Sequence, residues 1–371
     1  MSSSADVLVV GGGVIGLTTA YFLAKAGVQV EVVDKGDLGQ ESSWAGAGIL
    51  TPGNPQAAQH PLLQLHAQSV SLFPELSAEL KERTGIDNGY IQCGGLELLG
   101  DAPIADTDEW RSEGVVAELI DADQILHLEP ALSAGCTKAY YLPEMAQVRN
   151  PRHVQALIAS CRALGVTMRS GCPVFRFVAS RGRVTAVQSA AGKLAANQFI
   201  VATGAWTDSL LAELGWQPGI VPIRGQIALL NPGFPVFRHI ILIGSCYLVP
   251  RPEGRVLIGS TEEQVGFDKH TTAAALQSLL AMGTSLVPAL SQAHLERCWA
   301  GLRPASPDGL PFIGPLPDYE NVVVAAGHFR SGIQLSPGTA QLVADIVLGR
   351  TPTVSPYVFR LDRHQRTAEG D

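Results

Sequence analysis

Residues 6–34, DVLVVGGGVIGLTTAYFLAKAGVQVEVVD, leave few folds open to the chain that contains them. Residues 7–10 are an apolar run of strand type, and Gly11, Gly13 and Gly16 then supply G-x-G-x-x-G. Leu17, Ala20, Tyr21, Leu23 and Ala24 recur at helical spacing until Gly27 ends the helix. Residues 28–33 form a second strand that ends on a carboxylate, Asp34. Each part has a chemical reason. Gly11 permits the tight strand-to-helix turn, Gly13 lets the backbone approach a pyrophosphate, and Gly16 lets helix and strand pack closely. The pyrophosphate then meets free N–H groups at the helix N-terminus, where Val14 and Ile15 stand. Asp34 can accept hydrogen bonds from a ribose, which favours an adenosine without a 2′-phosphate, and Lys35 beside it belongs to the same candidate site. A lone G-x-G-x-x-G is weak evidence, but strand, glycines, helix, strand and acid in this order predict a dinucleotide site. The ordinary alternative, a glycine-rich turn, does not account for the placement of the acid.

Other properties narrow the class. At 371 residues the chain exceeds the usual single-core size, so two domains are expected. A formal net charge of −8 without a basic run argues against nucleic acid as a partner. The N-terminal apolar stretch is broken by glycines and Lys25 and has no basic region before it, so it reads neither as a membrane span nor as a signal peptide. A cytoplasmic protein is expected. The six cysteines, at 93, 136, 161, 172, 246 and 298, form no C-x-x-C and no metal spacing, and are read as reduced packing residues. His60 and His66 lack further ligands, so no metal is expected.

Along the chain, residues 36–50 are rich in Gly, Ala and Ser, as a backbone passing close to a flat ligand requires, with a flexible loop as the alternative. Helices are expected over 62–84, 107–127, 153–164, 271–286 and 337–348. Strands are expected over 90–99 (broken at Gly94-Gly95), 139–142, 165–169, 173–178, 184–189, 221–230, 240–249, 255–260 and 321–326. Residues 199–206, FIVATGAW, form a strand ending in a glycine turn, which brings Thr203, Gly204 and Trp206 to the cofactor edge. Residues 301–314 are rich in Pro and Gly, yet carry Arg303 and Asp308.

Taken together, VVGGGVIGLTTAYFLAKAG, SSWAGAGIL, FIVATGAW, PIRGQIALL, CYLVPRPEGRVLIGSTEE, WAGLRPASPDGLPFIG and AAGHFRSGIQLSPGTA resemble the D-amino-acid-oxidase family of FAD enzymes, and within it the bacterial branch that acts on glycine. The last three segments are the most specific, and the match spans nearly the whole chain. The resemblance implies a mixed α/β fold in which a Rossmann-like FAD domain (1–85, 145–220 and 298–365) is interleaved with an antiparallel-sheet substrate domain (86–144 and 221–297). It implies that Ser42, Ser43, Gly46, Ala47 and Gly48 line the flavin and its phosphates. Val174 would hold the adenine side by its backbone, Gly332, Ile333 and Leu335 the pyrimidine end, and Ser331 would also bind the cofactor. FAD would be non-covalent, since no cysteine stands where a covalent flavin link is expected.

The implied substrate is glycine or a similar small amino acid, such as sarcosine or a small D-amino acid. Arg303 in GLRP matches the family's carboxylate-binding arginine, whose planar fork suits two carboxylate oxygens. Tyr247 would add a hydroxyl, and Arg330 would close over the site; both arginines also lie beside the flavin. The ordinary alternatives are a core-facing Tyr247, an Arg303–Asp308 ion pair and a surface Arg330, with His328 a packing residue rather than a base. The implied reaction is oxidative deamination by hydride transfer to flavin, with no general base. The imine then hydrolyses, and oxygen is reduced to hydrogen peroxide. A homo-oligomer and a place in thiazole synthesis for thiamine are further implications. Residues 260–263, STEE, depart from relatives that carry a methionine near the pocket, which leaves the preferred substrate open. Two other readings stand beside this one: an FAD dehydrogenase for D-amino acids or N-substituted glycines that passes electrons to a carrier, and a non-catalytic flavoprotein subunit.

Overall fold

The structure, a computed structural model, describes residues 5–99 and 109–364. The chain begins with β1 (Ala5–Val10), α1 (Val14–Lys25) and β2 (Val30–Val33). Val7 to Val10 are buried on both faces of β1, as a parallel strand between two packed layers must be. A Cβ at Gly16 would stand 1.9 Å from the Gly11 carbonyl oxygen, so α1 seats on the turn at this point. Two further helices, α2 (Pro61–Thr84) and α3 (Asn150–Ala163), pack with α1 over one face of the sheet. Leu17, Leu65, Phe73 and Leu157 are among the fully buried residues of that layer. Thr167–Arg169 joins β2 in parallel, and β3 (Gly192–Val201) lies parallel to β1 on its other side.

The chain then builds a second sheet from β4 (Val221–Asn231), β5 (Ile240–Ile243), β6 (Cys246–Pro250) and β7 (Val256–Gly259), followed by α4 (Ala273–Leu286) and β8 (His294–Ala305). The sheet runs β8-β4-β7-β6-β5 and continues through Gly95–Leu98, Lys138–Leu142 and Glu118–Asp121. Every pairing is antiparallel except that of β5 with Gly95–Leu98. Finally β9 (Val322–Ala326) returns to the first sheet beside β3, and α5 (Gly332–Val347) packs on α1 and α2. A parallel nucleotide-type sheet and a largely antiparallel one are thus built from interleaved stretches of chain, the mixed architecture expected. No helix among the described residues is long and apolar enough to cross a membrane.

Three local expectations are corrected, and one stretch left without an element is assigned. Of the helix over 107–127, residues 107 and 108 lie outside the described residues. The rest divides into Glu109–Ser112, the strand Glu118–Asp121 and the helix Ala122–Leu128. Lys138–Leu142 recruits the strand, and Asp121 then caps the next helix through Gln124 in a capping box. Residues 240–249 are two strands rather than one, because the chain reverses at Gly244 in the left-handed region. The Pro- and Gly-rich run after residue 300 is strand up to Ala305, held by its register with β4 (Val221 opposite Ala305). Helix α5 starts at Gly332, five positions before Pro337. The carbonyl of Ile333, which the proline ring leaves without its helical donor, accepts the Ser336 hydroxyl instead at 2.8 Å.

Candidate active site

A cavity of about 680 Å³ is lined by residues of both sheets, a volume within the usual range of ligand sites. At one end stands Asp34. Its Oδ2 accepts the Gly12 N–H at 2.7 Å and its Oδ1 the Gly36 N–H at 2.8 Å. Burial raises its pKa, and these two N–H groups and Lys35 oppose the rise. Lys35 Nζ lies 3.1 Å from the Trp206 ring centroid, and Trp206 stacks on Phe267. Val174, Thr203 and Gly204 line the same end.

In the middle, α1 presents an N-terminus with no side-chain cap on its N-cap residue Gly13 and no acidic residue in its first turn. The dipole and N–H groups there favour an anion. Ser43 Oγ accepts the Val14 N–H at 2.8 Å, and the Ser42 hydroxyl donates to the Leu302 carbonyl. Both serines, with Gly11, Gly13, Val14, Ile15, Gly46, Ala47 and Gly48, line the cavity. Arg251, buried and without a carboxylate partner among the described residues, ties this loop to its surroundings. It donates to the Ala47 carbonyl at 2.7 Å, to Gln147 Oε1 at 2.6 Å and to the Val148 carbonyl at 3.2 Å. Burial lowers its pKa to about 10, which still leaves it charged near neutrality. Asn150 also lines the cavity. Its Nδ2 donates to the Ser43 carbonyl at 3.2 Å, while its buried Oδ1 has no hydrogen-bond partner among the described residues. A helix start whose N-cap Gly13 has no side chain to cap it, and an unsatisfied buried acceptor on one wall, fit a group that carries phosphates and polar ring edges, as FAD does.

The other end is built on the second sheet. Arg303 on β8 donates to Ser260 Oγ at 2.5 Å and to the Thr261 carbonyl at 3.0 Å, and no carboxylate among the described residues pairs with it. Burial lowers its pKa. Its guanidinium lies against Gly225 of β4, where a Cβ would come within 2.3 Å of the guanidinium carbon. Tyr247 on β6 faces Gly259 of β7, and a Cβ there would stand 2.6 Å from the Tyr247 hydroxyl. Burial raises the Tyr247 pKa despite nearby Ser260 and Arg303, so the phenol is a neutral donor. Arg330, in the turn before α5, pairs with Glu262 at 2.6 Å and donates to the Ser245 carbonyl at 2.6 Å.

The cavity therefore brings together nearly all the candidate residues. Tyr247 is indeed part of a buried cluster, yet it also lines the cavity. Asp308 is taken by Arg363, at 2.7 Å, and not by Arg303. Arg330 is about one-third exposed and lines the cavity, as do Ser331, Gly332 and Ile333. Two candidates do not line it. Gly16 works behind the wall, in the helix-to-turn contact, and the Leu335 side chain is buried in the helical core. Sequence reasoning missed Gly225, Ser260, Asn150 and Arg251. Gly225 lay in the segment PIRGQIALL, but its use is visible only from the facing strand. His328 is buried with Nε2 3.0 Å from Thr339 Oγ1, and burial lowers its pKa to about 3.

This fold and this cavity define a flavin-dependent oxidoreductase. The model of the FAD dependent oxidoreductase (DAO) family matches residues 6–346, and the chain belongs to that family. Its cofactor is FAD. The chain is 39% identical to the glycine oxidase of Pseudomonas putida, over 96% of this chain and 98% of that protein. It is 34% identical to the glycine oxidase of Geobacillus kaustophilus, over 98% of each. The crystal structure of the Geobacillus kaustophilus enzyme superimposes with a TM-score of 0.92, covering 97% of this chain and 99% of that one. The chain is thus an enzyme of FAD-dependent amine oxidation.

Proposed function

We propose that the enzyme oxidatively deaminates glycine and related small amines, among them sarcosine and small D-amino acids, with oxygen reduced to hydrogen peroxide. One observation carries this reading: Arg303 is a cavity guanidinium bonded to neutral acceptors, Ser260 Oγ and the Thr261 carbonyl, and among the described residues no carboxylate pairs with it. A desolvated cation held in this way is matched to an incoming carboxylate. The likeness to the glycine oxidases supports the choice of substrate class.

In this reading Arg303 takes the substrate carboxylate and the neutral Tyr247 hydroxyl donates to it. Arg330 closes the outer side, and the three orient the α-carbon. FAD, held along Asp34, Ser42, Ser43, Gly46 to Gly48 and Ile333, supplies the two-electron acceptor. His328 stays neutral and packs against Thr339, so it is not assigned a proton. The division of the chain into FAD segments (1–85, 145–220, 298–365) and substrate segments (86–144, 221–297) belongs to the same proposal. It is supported by the two sheets, although β8 pairs with β4 along both sides of the 297/298 boundary. A cytoplasmic homo-oligomer is also part of the proposal. A role in thiamine synthesis is supported by 35% identity to the bifunctional protein ThiO/ThiG of Synechocystis, over 96% of this chain and 53% of that protein.

The test is oxygen uptake and peroxide formation by the yellow protein with glycine, sarcosine, D-alanine and D-proline. Uptake with equivalent peroxide supports the oxidase. Flavin bleaching by substrate without oxygen uptake would replace it with a dehydrogenase, and no bleaching would leave a non-catalytic flavoprotein.

A further inference from the structure

The carboxylates of residues 260–263 take different places. Glu263 turns away from the cavity: with Asp268, it pairs with the buried Arg224 of β4 and bonds Gln226. Glu262 instead directly follows Thr261, whose carbonyl holds Arg303, and its Oε1 pairs with Arg330 Nη1 at 2.6 Å. Among the described residues, two guanidinium groups line the cavity, Arg303 and Arg330. Glu262 pairs with Arg330 from outside the lining, while Arg303 is bonded to Ser260 Oγ and the Thr261 carbonyl. Lys35, which also lines the cavity, stands at the far end over Trp206, near Asp34.

We propose that Glu262 sets the charge of the substrate: by occupying Arg330, it limits the cavity to amines with a single carboxylate and turns away those with two. The proposal rests on the amino-acid reading of the site. A second carboxylate on the substrate nitrogen or α-carbon would reach the outer side of the pocket, where Arg330 stands. There it meets a guanidinium already bonded to Glu262 and to the Ser245 carbonyl. It would have to displace one carboxylate to bind, or remain beside it as a like charge, and both disfavour the dianion. With Glu262 removed, Arg330 keeps its anchor on Ser245 and offers two or more N–H donors to a second carboxylate. The site would then take dicarboxylic amines. Arg330 and Glu262 are 34% and 38% exposed, so screening keeps the effect moderate.

The test uses the FAD-loaded full-length enzyme and two pairs of probes. Methoxyacetate and diglycolate carry one and two carboxylates and have no amine to oxidise, and their Kd values are read from the flavin absorption spectrum. Sarcosine and iminodiacetate are the matching amines, read by oxygen uptake. In Glu262→Gln and Glu262→Ala, the preference for diglycolate over methoxyacetate is expected to rise about tenfold, the worth of one partly exposed charge-assisted contact. The ratio kcat/KM for iminodiacetate over sarcosine should rise with it. Adding Arg330→Gln to either variant is expected to return both ratios to the wild-type values. An unchanged Kd ratio in both single variants, or a raised ratio that persists in the double variant, overturns the proposal. The inert pair responds whether or not an amine is turned over, so failure of the oxidase reading appears in the second pair alone.

Discussion

Replacing Arg303 is the most direct probe of the substrate end. The guanidinium has five N–H donors. Two of its nitrogens are committed to Ser260 Oγ and the Thr261 carbonyl, and donors remain for a ligand. In Arg303→Ala a bound carboxylate would sit desolvated and unpaired, at a cost of about 2–5 kcal/mol. That corresponds to a fall in kcat/KM of about 30- to several-thousand-fold for glycine. Arg303→Lys should recover part of this, since an ammonium cannot make two parallel bonds. Tyr247→Phe removes one neutral donor and should cost about 0.5–1.5 kcal/mol. The stability of Arg303→Ala should not collapse, because the substitution also relieves a half-buried cation that has no carboxylate partner among the described residues. The assay is steady-state kinetics on FAD-loaded variants with glycine and with an amine that lacks a carboxylate, alongside Tm. An equal loss for both substrates would refute the clamp and make Arg303 a support for the fold or the flavin.

Other outcomes follow from the same geometry. Gly225→Ala places a methyl group where the Arg303 guanidinium lies, and should raise KM for glycine while FAD content is retained; an unaltered KM would show that the guanidinium has another position open to it. Asp34→Ala should weaken FAD binding by about 10- to 100-fold, the value of a hydrogen bond to a charged acceptor, measured by titrating the apoprotein; unchanged affinity would remove Asp34 from the ribose. Acid precipitation should release the yellow colour into the supernatant, and colour kept in the pellet would contradict non-covalent FAD. Burial holds His328 at about 3 and His153 at about 4, below the usual value near 6.5. Between these limits the unfolded chain binds protons that the folded chain refuses, so stability is full above pH of about 6.5 and falls as the pH drops towards 4. His328→Gln should flatten that fall in thermal melts, and a profile identical to wild type would show that His328 does not titrate on unfolding.

Features that depend on neighbours along the chain could be read from the residues alone. The turn at Gly11, the packing of Gly16 and the carboxylate at Asp34 follow from residue types at fixed short spacings, because a βα turn is built from consecutive residues. The helix Pro61–Thr84 was legible over 62–84 for the same reason: its apolar period and the glycine that stops it, Gly85, are local. The substrate end was legible only through resemblance, since its parts come from β4, β6, β7, β8 and the turn before α5. That Gly225 must be bare is decided by Arg303 on the neighbouring strand, in a register that places Ile223 opposite Arg303. The strand at Glu118–Asp121, read as helix from its apolar spacing, was decided by Lys138–Leu142 alongside it. Only the tertiary structure could decide which glutamate of the pair at 262–263 meets Arg330 and which meets Arg224. Adjacent residues in an extended chain point to opposite sides, and what stands on each side is set by distant segments.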